Sequence, residues 1–392
     1  LPIFIGFAHT SQPTRLCGQR REACPKMGTM QVTMIDENKY AEMMADVVLP
    51  ALEQCREEGW FDPSAAERSA GIEPLSGIMD TGGRAGQLHY LCYDAAKFDA
   101  IHEQGATAVF RGAIVISHGF TEFAEKYDEL VWYFLLAGYS VCVLEHRGHG
   151  KSVRDVDNRC MVWIDDWQRY VADLAGFAET IGQQYAAGMP LNLFCHSMGG
   201  GIGAAVLERY PTLFDKAVLS APMIAPATGM PLGVARVLVG ALCGLGFGKK
   251  RVFGQSGFTP EFSMEGNEGA SEARERWYFK LRCENSEYQT YCAAFEWVRQ
   301  ALKLNRAILN PSACAEVETP VLLFQSGRDI WVLNKPQNHF VQLVKDGGGE
   351  ANIVRFPESR HEIFSMPNST YKPYLEKILG FYDDPMIACA AY

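Results

Sequence analysis

Residues 191–200 read Leu-Asn-Leu-Phe-Cys-His-Ser-Met-Gly-Gly. An apolar run that is typical of a buried strand leads into Ser197, and a glycine-rich segment follows it. This order predicts a nucleophile elbow, a sharp strand-to-helix turn that raises a serine hydroxyl above the edge of a sheet. The elbow pattern has glycine two residues before the serine, whereas this chain has Cys195. An ordinary strand–turn–helix junction with an incidental serine is the alternative explanation of the same residues.

Short apolar runs recur on both sides of this elbow and alternate with helical patterns. The predicted strands lie at residues 87–93, 112–117, 140–144, 191–195, 216–220, 320–325 and 353–356. The predicted helices among them lie at residues 123–137, 165–185 and 199–210. Continuous apolar runs are typical of strands that are covered on both faces, as in parallel sheets. Their alternation with helices predicts an α/β fold with a mostly parallel sheet flanked by helices.

The alternation stops in a long stretch that separates two late strands. This stretch contains Met230–Phe247, an apolar segment with one charged residue and four glycines. Helical patterns follow at residues 271–282 and 287–304. We therefore predict that a helical insertion interrupts the α/β core.

The beginning of the chain is predicted to be an extension of the core that is only partly helical. Residues 35–60 place apolar side chains at near-helical spacing and predict one amphipathic helix. Residues 1–33 show no hydrophobic period, and we expect part of this segment to be disordered. The predicted division is an N-terminal extension at 1–84, a first core part at 85–222, a helical insertion at 223–315 and a second core part at 316–392.

The overall composition argues against several classes of protein. The chain has 392 residues, of which 48% are hydrophobic, and this is ordinary for a globular protein. Its 36 basic and 46 acidic residues give a net charge of −10, so we expect no nucleic-acid partner. The 12 cysteines form no Cys-x-x-Cys pair and no cluster with zinc-ligand spacing, which favours a reducing, cytoplasmic compartment and no metal site.

A serine nucleophile requires a base and an acid that orients the base. Candidates for both lie after the elbow, each in a turn or loop that follows a predicted strand. Asp329 ends the turn after the strand at 320–325, and His361 lies in the loop after the strand at 353–356. Because parallel strands end at one edge of a sheet, we expect both side chains near Ser197. Taken singly, Asp329 is better explained as a turn cap and His361 as a surface histidine. Their order, their spacing and their position at strand ends together favour the catalytic pair.

Acyl transfer to a serine also needs two amides that stabilise the oxyanion of the tetrahedral intermediate. The amide of Met198 lies directly after the serine, at the predicted start of a helix. The amide of Phe120 follows His118-Gly119 at the end of another predicted strand, and we expect it to be the second donor. His118 is expected to hold this loop by hydrogen bonds and not to act as a base.

Together these features resemble the α/β-hydrolases that include monoacylglycerol lipases and bacterial lysophospholipases. The matching stretches are Ser-His-Gly-Phe at 117–120, Glu-His-Arg-Gly-His-Gly-Lys-Ser at 145–152, His-Ser-Met-Gly-Gly at 196–200, Ser-Ala-Pro-Met at 220–223, Gly-Arg-Asp at 327–329 and Arg-His-Glu-Ile at 360–363. The insertion is more similar to that of bacterial membrane-associated lysophospholipases than to that of the shorter monoglyceride lipases. The resemblance leaves residues 1–84 unexplained.

The resemblance implies an α/β-hydrolase fold whose helical insertion forms a lid over the serine. It implies Ser197 as nucleophile, Asp329 as acid and His361 as base, with the amides of Phe120 and Met198 as the oxyanion hole. The implied activity is that of an esterase that acts on single-chain lipids through an acyl-enzyme. Lysophospholipids are the leading substrates, ahead of monoacylglycerols and short soluble esters, and no cofactor or metal is implied.

Two further aspects of function stay open at this point. The apolar lid segment and the basic residues 249–251 favour peripheral contact with the inner face of a membrane, although a packed helix and a solvated turn explain them equally well. A proline-type serine peptidase has the same fold and similar motifs. A non-catalytic binding protein is the other alternative, but such a protein has no need of all three catalytic side chains.

Overall fold

The computed structural model describes residues 33–73, 86–98 and 109–384. Its strands, in chain order, are β1 Arg56–Phe61, β2 Leu88–Tyr93, β3 Gly112–Ser117, β4 Tyr139–Leu144, β5 Met161–Val162, β6 Leu191–His196, β7 Lys216–Ser220, β8 Cys292–Ala293, β9 Val321–Ser326 and β10 Ala351–Phe356. Eight of them form one sheet in the order β1-β2-β4-β3-β6-β7-β9-β10. All neighbours from β4 to β10 are parallel, whereas the β1–β2 and β2–β4 pairs are antiparallel.

Helices cover both faces of this sheet. Within the described residues they are α1 Tyr40–Met43, α2 Leu49–Cys55, α3 Ser64–Ser69, α4 Asp128–Leu136, α5 Gln168–Phe177, α6 Gln183–Ala186, α7 Met198–Arg209, α8 Leu232–Leu242, α9 Glu272–Glu284, α10 Phe295–Ala307, α11 Pro311–Cys314, α12 Asn334–Asp346 and α13 Asn368–Asp383. One hydrophobic core lies under α5, α7, α10 and α12, and another lies under α2, α4 and α13. The predicted α/β fold with a mostly parallel sheet is therefore confirmed.

The central strands show why their sequence is continuously apolar. Every residue of β3, β6 and β7 is buried. Along β3, Val115 packs into one core and Ile114 into the other, and along β6 Leu193 and Phe194 divide in the same way. Helices cover both faces of each strand, so neither face is open to solvent. These strands therefore lack the alternation of apolar and polar residues that is typical of half-buried strands.

The prediction of one helix over residues 35–60 is wrong in its last part. Helix α2 ends at Cys55, and Arg56–Phe61 forms β1, which pairs with β2 along its whole length. A Cβ on Gly59 would lie 2.2 Å from the ring of Tyr90, so glycine permits the close approach of these two strands. Long-range pairing thus outweighs the local helical spacing of the apolar residues.

The beginning of the chain also contains a helix that the sequence did not predict, α3. Residues 1–32, for which partial disorder was expected, lie outside the described residues.

The chain between β7 and β9 is mainly helical, as the sequence predicts, and contains α8, α9, α10 and α11. The helix predicted at 287–304 is wrong in its first part, because α10 begins at Phe295. The preceding β8 instead pairs in parallel with β5, and the amides of Tyr291 and Cys292 both donate to the carbonyl of Cys160. This pairing joins the insertion to the core. Across the described parts of the chain, no helix combines the length and apolarity that crossing a bilayer requires.

Candidate active site

Ser197 lies at the turn between β6 and α7, with backbone angles φ 50° and ψ −114°. A positive φ is unfavourable for a residue with a side chain, so neighbouring contacts must hold this conformation. The amide of Ser197 donates to the carbonyl of Ser220 at 3.1 Å, and its carbonyl accepts from the amide of Met223 at 2.7 Å. These bonds tie the turn to the end of β7. The strand-to-helix turn predicted at Ser197 is therefore confirmed.

The unusual residue of the elbow, Cys195, is completely buried. A Cβ on Gly203 would lie 2.4 Å from the Sγ atom of Cys195. Gly203 lies on α7, which packs directly against β6. The sequence pattern usually places a small residue on the strand, whereas here the small residue that makes room for the contact lies on the helix.

The loops that follow β9 and β10 are hydrogen-bonded to each other. The amide of Arg328 donates to the carbonyl of Ser359 at 2.9 Å, and the hydroxyl of Ser326 donates to the same carbonyl at 2.6 Å. A Cβ on Gly327 would lie 2.1 Å from the carbonyl oxygen of Pro357, so only glycine permits this approach. The two loops therefore form one packed unit at the carboxyl edge of the sheet.

This unit brings the predicted acid and base to the serine. Nε2 of His361 lies 2.8 Å from Oγ of Ser197, and Nδ1 lies 2.7 Å from Oδ2 of Asp329. An ionised carboxylate only accepts hydrogen bonds, so Nδ1 of His361 carries the proton and Nε2 is left to accept from the serine hydroxyl. The three side chains thus form a continuous hydrogen-bond chain.

The surroundings of Asp329 keep its carboxylate ionised. Its Oδ1 accepts from the amides of Trp331 at 2.8 Å and Val332 at 3.0 Å. Burial alone would raise the pKa of Asp329, but the hydrogen bonds from His361 and from these amides outweigh burial and lower the pKa below its ordinary value. The carboxylate can therefore orient the imidazole and balance a positive charge on it.

The loop that carries Phe120 is bound to the start of α7. The amide of Gly199 donates to the carbonyl of His118 at 3.1 Å, and a Cβ on Gly199 would lie 2.1 Å from the carbonyl oxygen of Ser117. Among the described residues, the amides of Phe120 and Met198 donate to no protein group. The donors of an oxyanion hole must likewise have no protein partner before the oxyanion forms.

His118 is built into the same loop. Its Nδ1 donates to the carbonyl of Gly119 at 2.7 Å, and its Nε2 accepts from the amide of His146 at 2.9 Å. Burial lowers the pKa of His118, which favours the neutral ring that this pattern requires. The expectation that His118 holds the loop by hydrogen bonds is confirmed.

One group of charged residues near the site was not identified from the sequence. Lys126 lies between the carboxylates of Glu122 and Glu362 and forms an ion pair with each. Lys126 and Glu362 are 236 positions apart in the chain, and no local motif connects them. Only the folded structure shows that they meet between the loops of Phe120 and His361.

Comparison with known proteins places this geometry in a family. The model of the family described as serine aminopeptidase, S33, matches residues 109–368, which include all of the side chains above. The chain belongs to this family. Members of the serine aminopeptidase family need not share one substrate, because a fold and a site layout do not fix what is bound.

The relatives of this chain include lipid hydrolases. The probable lysophospholipase L2 of Haemophilus influenzae is 25% identical over 272 residues, which are 69% of this chain and 83% of that protein. The monoacylglycerol lipase of Mycolicibacterium smegmatis is 34% identical over 131 residues, which are 33% of this chain and 45% of that protein. The resemblance to this group of α/β-hydrolases is confirmed.

A solved structure shares the fold. The monoglyceride lipase from Saccharomyces cerevisiae, crystallised as a soluble variant with a substrate analog, superposes with a TM-score of 0.58 at 17% identity. The superposition covers 79% of this chain and 94% of the yeast chain. The α/β-hydrolase fold therefore extends over most of this chain.

Proposed function

We propose that this chain is a serine hydrolase that cleaves the carboxylic ester of single-chain lipids, with lysophospholipids as the leading substrates. The observation that carries the proposal is the hydrogen-bond chain from Ser197 through His361 to Asp329. The chain is a carboxylic-ester hydrolase, in keeping with relatives that are named lysophospholipase and monoacylglycerol lipase. Those names also support a single-chain lipid as substrate.

The first half of the proposed reaction transfers the acyl group to the enzyme. Oγ of Ser197 attacks the carbonyl carbon of the ester while its proton passes to Nε2 of His361. The amides of Phe120 and Met198 donate to the oxyanion that forms. The intermediate collapses when the bond to the alcohol breaks, and His361 returns its proton to the leaving oxygen. Asp329 holds the imidazole in place and stabilises its charged form throughout.

The second half of the reaction releases the fatty acid. A water molecule gives a proton to Nε2 of His361 and attacks the acyl carbon, and the same oxyanion hole stabilises the second tetrahedral intermediate. Collapse of this intermediate breaks the bond to Ser197, whose oxygen recovers the proton from His361. The products are a free fatty acid and the regenerated enzyme.

A narrow apolar cavity beside the elbow favours an aliphatic acyl chain over a polar one. Its side chains would have to separate to admit such a chain, and they belong to Ile164, Trp167, Tyr170, Met198, Ile202, Met223, Trp297, Gln300, Ala301 and Leu304. Met198 contributes both its side chain to this cavity and its amide to the proposed oxyanion hole. An acyl chain that entered between these side chains would have its ester next to the amide that stabilises the intermediate.

The insertion supports a role as a lid that contacts a lipid surface. Helix α8 and the turn after it expose several large apolar side chains, namely Val234, Val237, Leu238, Leu245 and Phe247. Exposed apolar groups of this extent are typical of surfaces that bind another apolar phase. The basic residues Lys249, Lys250 and Arg251 follow at once and would attract anionic headgroups. A second exposed apolar pair, Ile330 and Trp331, lies next to the start of the insertion, because the backbone carbonyl of Trp331 accepts from the amide of Ala227.

Two other functions have a specific observation in their favour. Monoacylglycerols are the alternative lipid substrates, because the relative from Mycolicibacterium smegmatis is named for them. Peptides are the alternative class, because the family description names an aminopeptidase. Short soluble esters would satisfy the same hydrogen-bond chain without using the apolar cavity.

A comparison of three substrates tests the proposal. Fatty-acid release would be measured from lysophosphatidylcholine and from monoolein, and arylamine release from an aminoacyl arylamide. We expect lysophosphatidylcholine to have the highest kcat/KM and Ser197→Ala to abolish all release. Faster cleavage of monoolein would make monoacylglycerols the preferred substrates in place of lysophospholipids. A dominant arylamidase activity would overturn the assignment of a lipid substrate altogether.

A further inference from the structure

A buried cluster of three charged side chains lies between the two loops that flank Ser197. Nζ of Lys126 lies 2.8 Å from Oε1 of Glu122 and 2.6 Å from Oε1 of Glu362. The side chain of Lys126 is only 3% exposed, and that of Glu122 is 4% exposed. A buried ammonium with two carboxylates has little freedom to move, because each charge would lose its partner.

The Glu122 side of the cluster holds the loop of the proposed oxyanion hole. Oε2 of Glu122 accepts from the amide of Gly119 at 2.6 Å and from the hydroxyl of Tyr127 at 2.5 Å. The amide of Gly119 is one peptide before that of Phe120. The position of the Glu122 carboxylate therefore constrains the peptide plane next to the amide that would bind the oxyanion.

The Glu362 side of the cluster holds the loop of the proposed base. Glu362 directly follows His361 in the chain, and its Oε2 accepts from the hydroxyl of Ser365 at 2.9 Å. With Oε1 bound to Lys126, both oxygens of this carboxylate are fixed. The backbone that carries the imidazole is thus anchored one residue away from it.

Helix α9 of the insertion also contacts the cluster. The ring of Tyr278, on α9, lies with its centroid 4.2 Å from Nζ of Lys126, and its hydroxyl donates to the carbonyl of Thr121 at 3.3 Å. Thr121 has φ 64°, an unfavourable conformation for a β-branched residue. The oxyanion loop is therefore held in a strained shape by contacts that converge on Lys126 and its neighbours.

We propose that Lys126 is a positioning residue, which sets the distance between the oxyanion loop and the loop of His361 by binding a carboxylate of each. Lys126 does not touch the reacting atoms, and its effect on the rate passes through the amide of Phe120 and the imidazole of His361. The inference rests on the proposed serine chemistry but not on the identity of the lipid. Misplacement of such groups by about 1 Å can lower a rate by about a hundredfold.

The charges in the cluster support this role. Burial lowers the pKa of Lys126, but the carboxylates of Glu122 and Glu362 outweigh burial and raise the pKa above its ordinary value. Lys126 therefore remains a cation in its buried position. A third carboxyl, that of Glu275 on α9, has its pKa raised to about 7 by burial and by Glu362.

The competing explanation is that the cluster only stabilises the fold. Arg169 provides a matched control, because it is also a buried cation, 5% exposed, that binds two carboxylates, those of Glu67 and Asp165. It lies on α5 and contacts neither of the two loops. Loss of Lys126 or of Arg169 removes one partner of a buried ion pair, so both should lower thermal stability.

The experiment compares Lys126→Met, Lys126→Arg and Arg169→Met in hydrolysis of p-nitrophenyl butyrate, with rates expressed per folded protein from circular dichroism. We expect Lys126→Met to lower kcat by about tenfold or more while KM changes by less than about threefold. Lys126→Arg should restore most of this loss, and Arg169→Met should keep the wild-type kcat. Equal kcat values in the two Met variants would overturn the proposal and leave a purely structural role.

A second variant keeps the inference testable if Lys126→Met does not fold. Glu362→Ala cuts the link to the His361 loop and leaves Lys126 paired with Glu122. We expect a lower kcat in this variant, and we expect the double variant Lys126→Met/Glu362→Ala to lose little more than Lys126→Met alone. A wild-type kcat in Glu362→Ala would contradict the coupling. Because the assay ester is soluble, failure to cleave lipids would contradict the proposed function without affecting this result.

Discussion

Nδ1 of His361 lies 2.7 Å from Oδ2 of Asp329, although the two residues are 32 positions apart. Their loops start at the same level of the sheet, because Phe356 at the end of β10 is paired with Ser326 at the end of β9. Parallel pairing therefore brings together two loops that are separated by α12 and a complete strand. The contact depends on the register of the sheet, because that register sets where both loops begin.

Removal of the His361 imidazole should abolish most of the activity without unfolding the protein. His361→Ala is expected to lower kcat for p-nitrophenyl butyrate by about 10⁴-fold or more, since Ser197 then lacks a base. The fold should be retained, because the His361 side chain lies at the surface of the site and is 12% exposed. Steady-state rates and circular dichroism would check both statements. His339→Ala, which removes an exposed histidine on α12, is the control and should keep the wild-type rate.

The contact between Cys195 and Gly203 should appear as a coupling between two substitutions. Gly203→Ala places a methyl group where the Cys195 thiol now lies, and this overpacking should cost about 1–3 kcal/mol of the free energy of unfolding. In a Cys195→Gly background the same substitution should cost much less, because the space of the thiol is then empty. Denaturant unfolding of the four proteins would measure the coupling, and strictly additive costs would show that the two side chains do not compete for space.

The ionised form of Asp329 should contribute to stability in a defined range of pH. Because the folded-state pKa of Asp329 is lowered, its contribution is present above the ordinary aspartate pKa of about 3.9 and is lost as the pH falls through the folded-state value. Asp329→Asn should therefore cost about 1–3 kcal/mol at neutral pH and less below about pH 4. Unfolding at several pH values would show this, with the exposed Asp346→Asn as control. A cost that does not diminish once the pH has fallen below about 4 would contradict the assignment.

The apolar face of α8 should matter only for substrates at an interface. Val237 is 75% exposed, and Val237→Asp places a charge in the middle of that face. We expect the rate on lysophosphatidylcholine in anionic phosphatidylglycerol vesicles to fall by about tenfold, whereas the rate on p-nitrophenyl butyrate stays unchanged. Met189→Asp is the matched control, because Met189 is also exposed but lies before the opposite end of β6. Equal effects of both substitutions on the vesicle assay would argue against lipid contact through α8.

The strands that the sequence predicts most directly are those with burial on both faces. The central strands β3, β6 and β7 are continuously apolar, and their positions follow directly from that pattern. Strand β1 was not predicted, because Arg56–Phe61 lies at the edge of the sheet and receives its structure from pairing with β2. A short strand that forms by pairing with a distant segment has only a weak strand pattern in its own sequence.

The candidate site likewise contains residues that the sequence identifies and residues that it does not. Ser197, Asp329 and His361 were recognisable because each follows a predicted strand at the same edge of the sheet, and the structure brings their side chains into contact. Lys126 and Glu362 were not recognisable, because an ion pair between distant segments has no sequence pattern. The catalytic roles of the three residues stay predictions until they are tested in solution.

The most direct test of the central claim is the site at which a fluorophosphonate probe attaches, read by mass spectrometry of the digested protein. We predict one modified peptide, which contains Ser197, and no labelling of Ser197→Ala. Labelling of His361→Ala should be strongly slowed, since the hydroxyl has lost its base. A probe that modifies a different residue, or that labels Ser197→Ala as fast as the wild type, would contradict the assignment of this serine as the nucleophile.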